Sequence, residues 1–221
     1  MEQRRWDRLA AVRAVIWDMD GTLIDSATVV PDAYITAVSR LGGRRFSRAE
    51  VIANYHVGPP LMMLTELLGR VCGAEDVEQY YACLRASAAG ALPYPGIVET
   101  LDALRPRLPM AVFTGADRTA ARVLLRASGL LPSFARVVGG DEVERQKPAP
   151  DGVLLACAAL GVAPAAAAYV GDSPSDLHAA RAAGALAVAA AWGHLFQAET
   201  EADVVLATPR ELLILLDELL A

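Results

Sequence analysis

The sequence predicts an α/β fold, a doubly wound parallel sheet with an inserted block of helices, and three of its features predict this. Short apolar runs with β-branched residues recur along the chain and read as strands buried on both faces. Helical patterns separate them, and several stop at a glycine. From residue 31 to residue 90 the alternation breaks, and the pattern is helical throughout.

The elements follow in order. Residues 12–17 form an apolar strand interrupted only by Arg13, and it runs into Asp18 and Asp20 before Gly21 lets the backbone turn. Helices are expected over 32–41, 48–54, 61–70 and 75–89. Leu92-Pro93-Tyr94-Pro95-Gly96 reads as a hinge. Alternation then resumes with a helix over 97–104, a strand over 110–113, a helix over 119–128 stopped by Gly129, and a strand over 136–138. It continues with a helix over 152–160, a strand over 167–170, a helix over 175–183 stopped by Gly184, and a strand over 186–189. Residues 203–206 read as an edge strand, and 212–220 as an amphipathic terminal helix carrying Asp217 and Glu218. Repeated β-α order with short links requires right-handed crossovers, hence a parallel sheet. The expected division is a core from 1–26 and 93–221, with a helical domain at 27–92.

At 221 residues the chain can bury a full core plus a small appended module. Its net charge of -6 argues against nucleic acid as a partner, since polyanion binding needs a basic footprint. Cys72, Cys83 and Cys157 follow neither a metal-binding spacing nor a secreted disulfide framework, so a reduced, cytoplasmic setting is expected. No apolar run approaches membrane-spanning length, and no membrane partner is expected. Nothing in the pattern signals an oligomeric state.

Four short motifs carry chemistry. Asp18-Met19-Asp20-Gly21-Thr22-Leu23 puts two carboxylates at the carboxyl end of a buried strand, where open α/β sheets bind ligands; Asp-x-Asp-Gly is also ordinary turn chemistry. Thr114-Gly115 ends the strand at 110–113, and a hydroxyl with exposed backbone N–H groups near a helix start makes an anion cradle, or a simple cap. Lys147, in Arg145-Gln146-Lys147-Pro148-Ala149-Pro150, is the single lysine among 20 basic residues, a compact ammonium where arginine serves everywhere else. In Gly171-Asp172-Ser173-Pro174-Ser175-Asp176, Ser175 or Asp176 can cap the next helix, while Asp172 precedes it with no capping duty.

In this order the four motifs resemble those of haloacid dehalogenase superfamily phosphatases, of the subgroup with a helical cap inserted after the first strand. The resemblance spans the core from end to end. The stretches 20–26, Gly58-Pro59-Pro60-Leu61 and Lys147-Pro148-Ala149-Pro150-Asp151 are similar to phosphoglycolate phosphatase-type enzymes. The resemblance implies a Rossmann-like core and Mg²⁺-dependent hydrolysis of a small phosphorylated metabolite through an aspartyl-phosphate. Asp18 would be the nucleophile, and Asp20 the acid that protonates the leaving oxygen and later accepts a proton from water. Acids this close repel a dianionic ester, so Mg²⁺ would be held by Asp18, the Asp20 backbone carbonyl and Asp172, with Asp176 outside that set orienting Lys147 or bound waters. Thr114 and Gly115 would hold phosphoryl oxygens while Lys147 balances charge.

Other readings differ in specific residues. The superfamily's metal-free dehalogenases lack the second acid of the first motif, so Asp20 speaks against them. Phosphonate cleavage in relatives relies on a lysine in the cap, and residues 27–92 contain none. A sugar-phosphate mutase, or a catalytically idle phosphate-binding regulatory protein, stays open. His56 and the cluster Arg44, Arg45 and Arg48 are candidate substrate contacts, against the plainer reading of an incidental histidine and a solvated face. His178 and His194 have no partner in the pattern, and Asp141 and Glu142 are candidates to shape the metal site, against the plainer reading of turn residues.

Overall fold

The apolar runs pair into one parallel sheet in the computed structural model, which describes residues 8–220. In chain order the strands are β1 (Ala14–Trp17), β2 (Ile24–Asp25), β3 (Leu92–Pro93), β4 (Met110–Phe113), β5 (Arg136–Val138), β6 (Ala167–Gly171), β7 (Leu186–Ala190) and β8 (Val204–Leu206). Six of them form the main sheet in the order β5-β4-β1-β6-β7-β8, with every pair parallel. The expected edge strand is therefore an edge; it begins at Val204, one residue late, with Asp203 N still donating to Ala187 O and the Asp203 carboxylate accepting from Ala187 N and Arg8.

Every position of β1, β4, β6 and β7 is buried, because helices cover both faces of the sheet. Residues alternate between two apolar clusters with the period of two that a strand imposes. Val15, Trp17, Val112 and Val170 face one way; Ile16, Ala111, Phe113 and Tyr169 face the other.

The helices that accompany the strands are α1 (Val29–Arg40), α2 (Arg48–Ala53), α3 (Pro60–Leu68), α4 (Ala74–Ser87), α5 (Ile97–Leu104), α6 (Arg118–Ala127), α7 (Asp151–Leu160), α8 (Pro174–Ala183) and α9 (Arg210–Leu220). Helices α5, α6 and α9 bury their apolar stripes in the first cluster, and α7 and α8 in the second. Helices α1 to α4 pack on one another, with Tyr34 of α1 stacked on Tyr80 of α4 at 4.1 Å between ring centroids.

Two local expectations need correction. Helix α1 begins three residues earlier than predicted, with Pro31 in its first turn, where a missing N–H deprives no intrahelical bond. The hinge at 92–93 is not bare loop: β3 pairs antiparallel with β2, Asp25 opposite Leu92 and Ile24 opposite Pro93. Two-residue strands are too short to show alternation. This ribbon brackets the helical segment at its entry and exit. Among the described residues no helix is long and apolar enough to cross a membrane, and all three cysteines are free and buried.

Candidate active site

Strand β1 lies between β4 and β6, so the chain leaves it in opposite directions on its two sides and a crevice opens at the carboxyl ends. Asp18 follows β1, Thr114 follows β4 and Asp172 follows β6, while Lys147 comes from the loop between β5 and α7. The structure brings all of them together with Asp20 and Asp176.

Lys147 is the hub. Its Nζ stands 2.5 Å from Asp18 Oδ1 and 2.7 Å from Asp176 Oδ1, and its side chain is only 11% exposed. The ammonium also lies 5.2 Å and 5.7 Å from the ring centroids of Phe113 and Tyr169, within cation–π range. A compact ammonium meets two carboxylate oxygens from one nitrogen, a task that suits lysine better than the planar fork of arginine.

Asp176 is saturated by its neighbours. Ser173 caps α8 and Asp176 closes the box, its Oδ2 accepting from Ser173 N at 3.0 Å and Ser173 Oγ at 2.6 Å. The cap is thus Ser173, rather than Ser175 or Asp176, because a capping box needs its acid three residues after the cap. The Tyr169 hydroxyl donates to Asp176 Oδ1 at 3.0 Å and reaches Phe113 O at 3.0 Å.

Asp172 is the opposite case. Its Oδ2 accepts from Leu195 N at 2.9 Å, but Oδ1 is buried with no hydrogen-bond partner. An orphaned carboxylate oxygen is costly unless a cation meets it. Carboxylate oxygens of Asp18, Asp172 and Asp176 lie within 4.8 Å of one another, a hard all-oxygen donor set that fits a divalent cation such as Mg²⁺ or Mn²⁺. Since Asp176 is committed elsewhere, Asp18 and Asp172 hold the free ligand capacity. The backbone makes room for this: a Cβ on Gly21, whose φ is +87°, would stand 2.5 Å from Asp172 Oδ2.

The Asp20 carboxylate turns away from this cluster. It accepts a short hydrogen bond from Ser26 Oγ and a 3.3 Å one from Thr114 Oγ1, which in turn accepts from Ala116 N at 3.1 Å. Asp117, three residues after Thr114, caps α6, accepting from Ala120 N at 3.0 Å. Thr114 serves a different end, and the Gly115 N–H meets no acceptor among the described residues.

Burial, and after it the Asp176 charge, pushes the Asp18 carboxyl well up from the ordinary carboxylate range, while Lys147 opposes this. Burial alone would weaken the Lys147 ammonium, yet the two carboxylates hold its pKa above the ordinary lysine value. Burial also raises Asp20, against the hydrogen bond from Ser26, so its proton is retained to higher pH than in water. A carboxyl of that kind suits proton donation.

Other sequence candidates stand apart. Arg44 pairs with Glu50 at 2.9 Å and Arg48 forks onto Asp32 at 2.7 Å, both on exposed surface, so these charges serve the helical segment itself. The side chain of His56 lies outside the described residues. Asp141 accepts from Arg118 N and Glu142 from Gly139 N, closing their turn, and His178 is exposed on α8. The loop after β7 escaped sequence reasoning: Trp192 Nε1 donates to Thr22 O at 2.9 Å, Leu195 N holds Asp172, and His194 Nδ1 lies 3.4 Å from Tyr94 OH. Its signal was its place at the carboxyl end of a parallel strand.

The chain is similar to known phosphatases in sequence and to solved structures in fold. A probable phosphatase, IndB, of Dickeya dadantii is 36% identical over 191 residues, covering 81% of each chain. Phosphoglycolate phosphatase of Escherichia coli strain K12 is 29% identical over 210 residues, covering 83% of this chain and 82% of the relative. The crystal structure of CbbY from Rhodobacter sphaeroides in complex with phosphate superposes with a TM-score of 0.78 at 26% identity, covering 93% of this chain and 99% of the other. The family model of haloacid dehalogenase-like hydrolases matches residues 12–184, and with the buried carboxylates and lysine converging at the strand ends, the chain belongs to that family.

Proposed function

We propose that this protein is a Mg²⁺-dependent phosphatase acting on a small, soluble phosphomonoester, with phosphoglycolate first among the substrates to test because relatives carry that name. The observation that carries the reading is the bridge of Lys147 between Asp18 and Asp176 beside the orphaned oxygen of Asp172. In this reading residues 27–92 are a cap over a core formed by 1–26 and 93–221.

Asp18, Asp172 and the Asp20 backbone carbonyl would hold Mg²⁺, which when bound neutralises the repulsion between the carboxylates and the ester. The Asp18 carboxylate attacks phosphorus, forming a P–O bond in line with the ester oxygen that leaves. Asp20 gives that oxygen its proton. In the second half, water attacks the aspartyl-phosphate, loses its proton to Asp20, and releases inorganic phosphate and the Asp18 carboxylate. Thr114 Oγ1 and the Gly115 N–H hold phosphoryl oxygens, while Lys147 offsets charge on the nucleophile and the transferred group. Tyr169 and Ser173 hold Asp176, and together with the Tyr169 ring beside the ammonium this fixes where Lys147 points.

The test is turnover of an aryl phosphate and of a panel of phosphorylated metabolites. Asp18→Asn is expected to lower kcat by about a thousandfold or more, and a chelator to abolish turnover until Mg²⁺ is restored. Wild-type turnover indifferent to both would contradict the assignment. Isomerised sugar phosphate without release of inorganic phosphate would point to the mutase.

A further inference from the structure

Helix α4 of the helical segment packs against α6 of the sheet layer, and the seam between them opens into a groove of about 440 Å³. Three arginines line it: Arg85 from α4, and Arg122 and Arg126 from α6. The latter two are spaced four residues apart, so they rise from one helix face. Ala88 and Val123 provide an apolar floor and Thr119 a hydroxyl, and no lining residue is acidic. The side chains of Arg122 and Arg126 have no hydrogen-bonding or ion-pair partner among the described residues, and the Arg85 guanidinium pairs only with the exposed Glu78. At the other end of the seam, Tyr81 of α4 donates to Asp117 Oδ1 at 2.8 Å, next to the Thr114-Gly115 turn.

We propose that this groove is a second anion site, which binds a small organic polyanion bearing carboxylate or phosphoryl groups on an apolar body. Two unpaired guanidiniums and a third held only by an exposed carboxylate border this groove in a chain whose net charge is -6. Planar guanidiniums take carboxylate or phosphoryl oxygens in pairs. The volume falls within the range of about 300–1,000 Å³ of small-molecule sites. A ligand spanning Arg85 and Arg122 also joins the helical segment to the sheet layer, so it stabilises the folded chain by mass action.

The experiment is calorimetric titration of the full chain, in chelator, with two probes: benzene-1,3,5-tricarboxylate and methylenediphosphonate. The first supplies carboxylates on an apolar ring, and the second phosphoryl groups. Saturable binding of either, weakened by added salt and reduced about tenfold or more by Arg122→Ala/Arg126→Ala and separately by Arg85→Gln, is the expected result, and the probe that binds names the anion class. These arginines lie outside the catalytic crevice, so basal aryl phosphate turnover stays unchanged in the variants and reports their folding. No saturable binding of either probe in the millimolar range, or binding undiminished in both variants, overturns the proposal. Either outcome leaves the phosphatase reading standing.

Discussion

At the scale of single residues, position rather than charge alone separates the duties of Asp176, Asp172 and Asp20. Asp176 has both oxygens engaged and serves as a fixed anchor for Lys147, Asp172 keeps one oxygen bare, and Asp20 is held by hydroxyls. Tyr169→Phe removes a hydroxyl that meets both Asp176 and Phe113 O, leaving buried acceptors short of a donor. Destabilisation of about 1–3 kcal/mol is expected from chemical denaturation, with kcat falling more than KM rises because Lys147 loses its anchor rather than substrate its contacts. An unchanged kcat would show that the Asp176 anchor does not matter for turnover. Gly21→Ala tests the crowding at the first turn. Positive φ and a Cβ 2.5 Å from Asp172 Oδ2 predict loss of activity together with loss of Mg²⁺ binding, the latter read by titration calorimetry.

At the scale of elements, the strands were legible as apolar runs, and β1, β4 and β6 are also each followed by a polar residue, whereas β5, β7 and β8 run into Gly139, Ala191 and Ala207. Asp18, Thr114 and Asp172 could be located on that basis, and their helices announce themselves by glycine stops at Gly129 and Gly184. The β2–β3 ribbon was not legible, since two residues carry no periodicity. Ser26 and the Trp192–Leu195 loop were missed for another reason: single polar or backbone groups in a loop look like any turn until the fold brings them to the crevice.

Helix α4 gives a pH test. Its Asp76 accepts from Gly73 N at 2.9 Å and pairs with Arg70 at 2.6 Å, and the Arg70 hydrogen bond first, then the backbone one, lowers its pKa to about 2. A carboxyl depressed on folding stabilises the folded state above its unfolded pKa, near 3.8, and that stability is lost as pH falls through about 2. The melting-temperature gap between wild type and Asp76→Asn should therefore be constant from neutral pH down to about 5, then shrink toward pH 2. A gap that widens on acidification would contradict the pairing.

At the scale of the whole molecule, the sheet is the rigid platform and the ribbon its attachment for the helical segment. Strands β1, β4 and β6 are buried throughout and neighbour one another, whereas Leu92 of β3 is 64% exposed. Native-state hydrogen exchange should be slowest at β1, β4 and β6, near the global unfolding limit, and much faster in β2 and β3. Equal protection of ribbon and sheet would contradict this division. The convergence of residues 129 positions apart, Asp18 and Lys147, is a property of this level alone: it follows from β5, β4, β1 and β6 lying side by side, which no local pattern states.

In the proposed reaction Asp18 itself carries the phosphoryl group between the two half-reactions. The direct measurement is acid-quenched mass spectrometry of Asp20→Asn incubated with Mg²⁺ and an aryl phosphate, a variant in which no acid at position 20 takes the proton from the attacking water. One phosphoryl adduct, hydroxylamine-labile and mapping to Asp18, is the predicted result, absent when Asp18→Asn is added. Phosphate released with no protein adduct at any time point, or an adduct on another residue, would contradict the account.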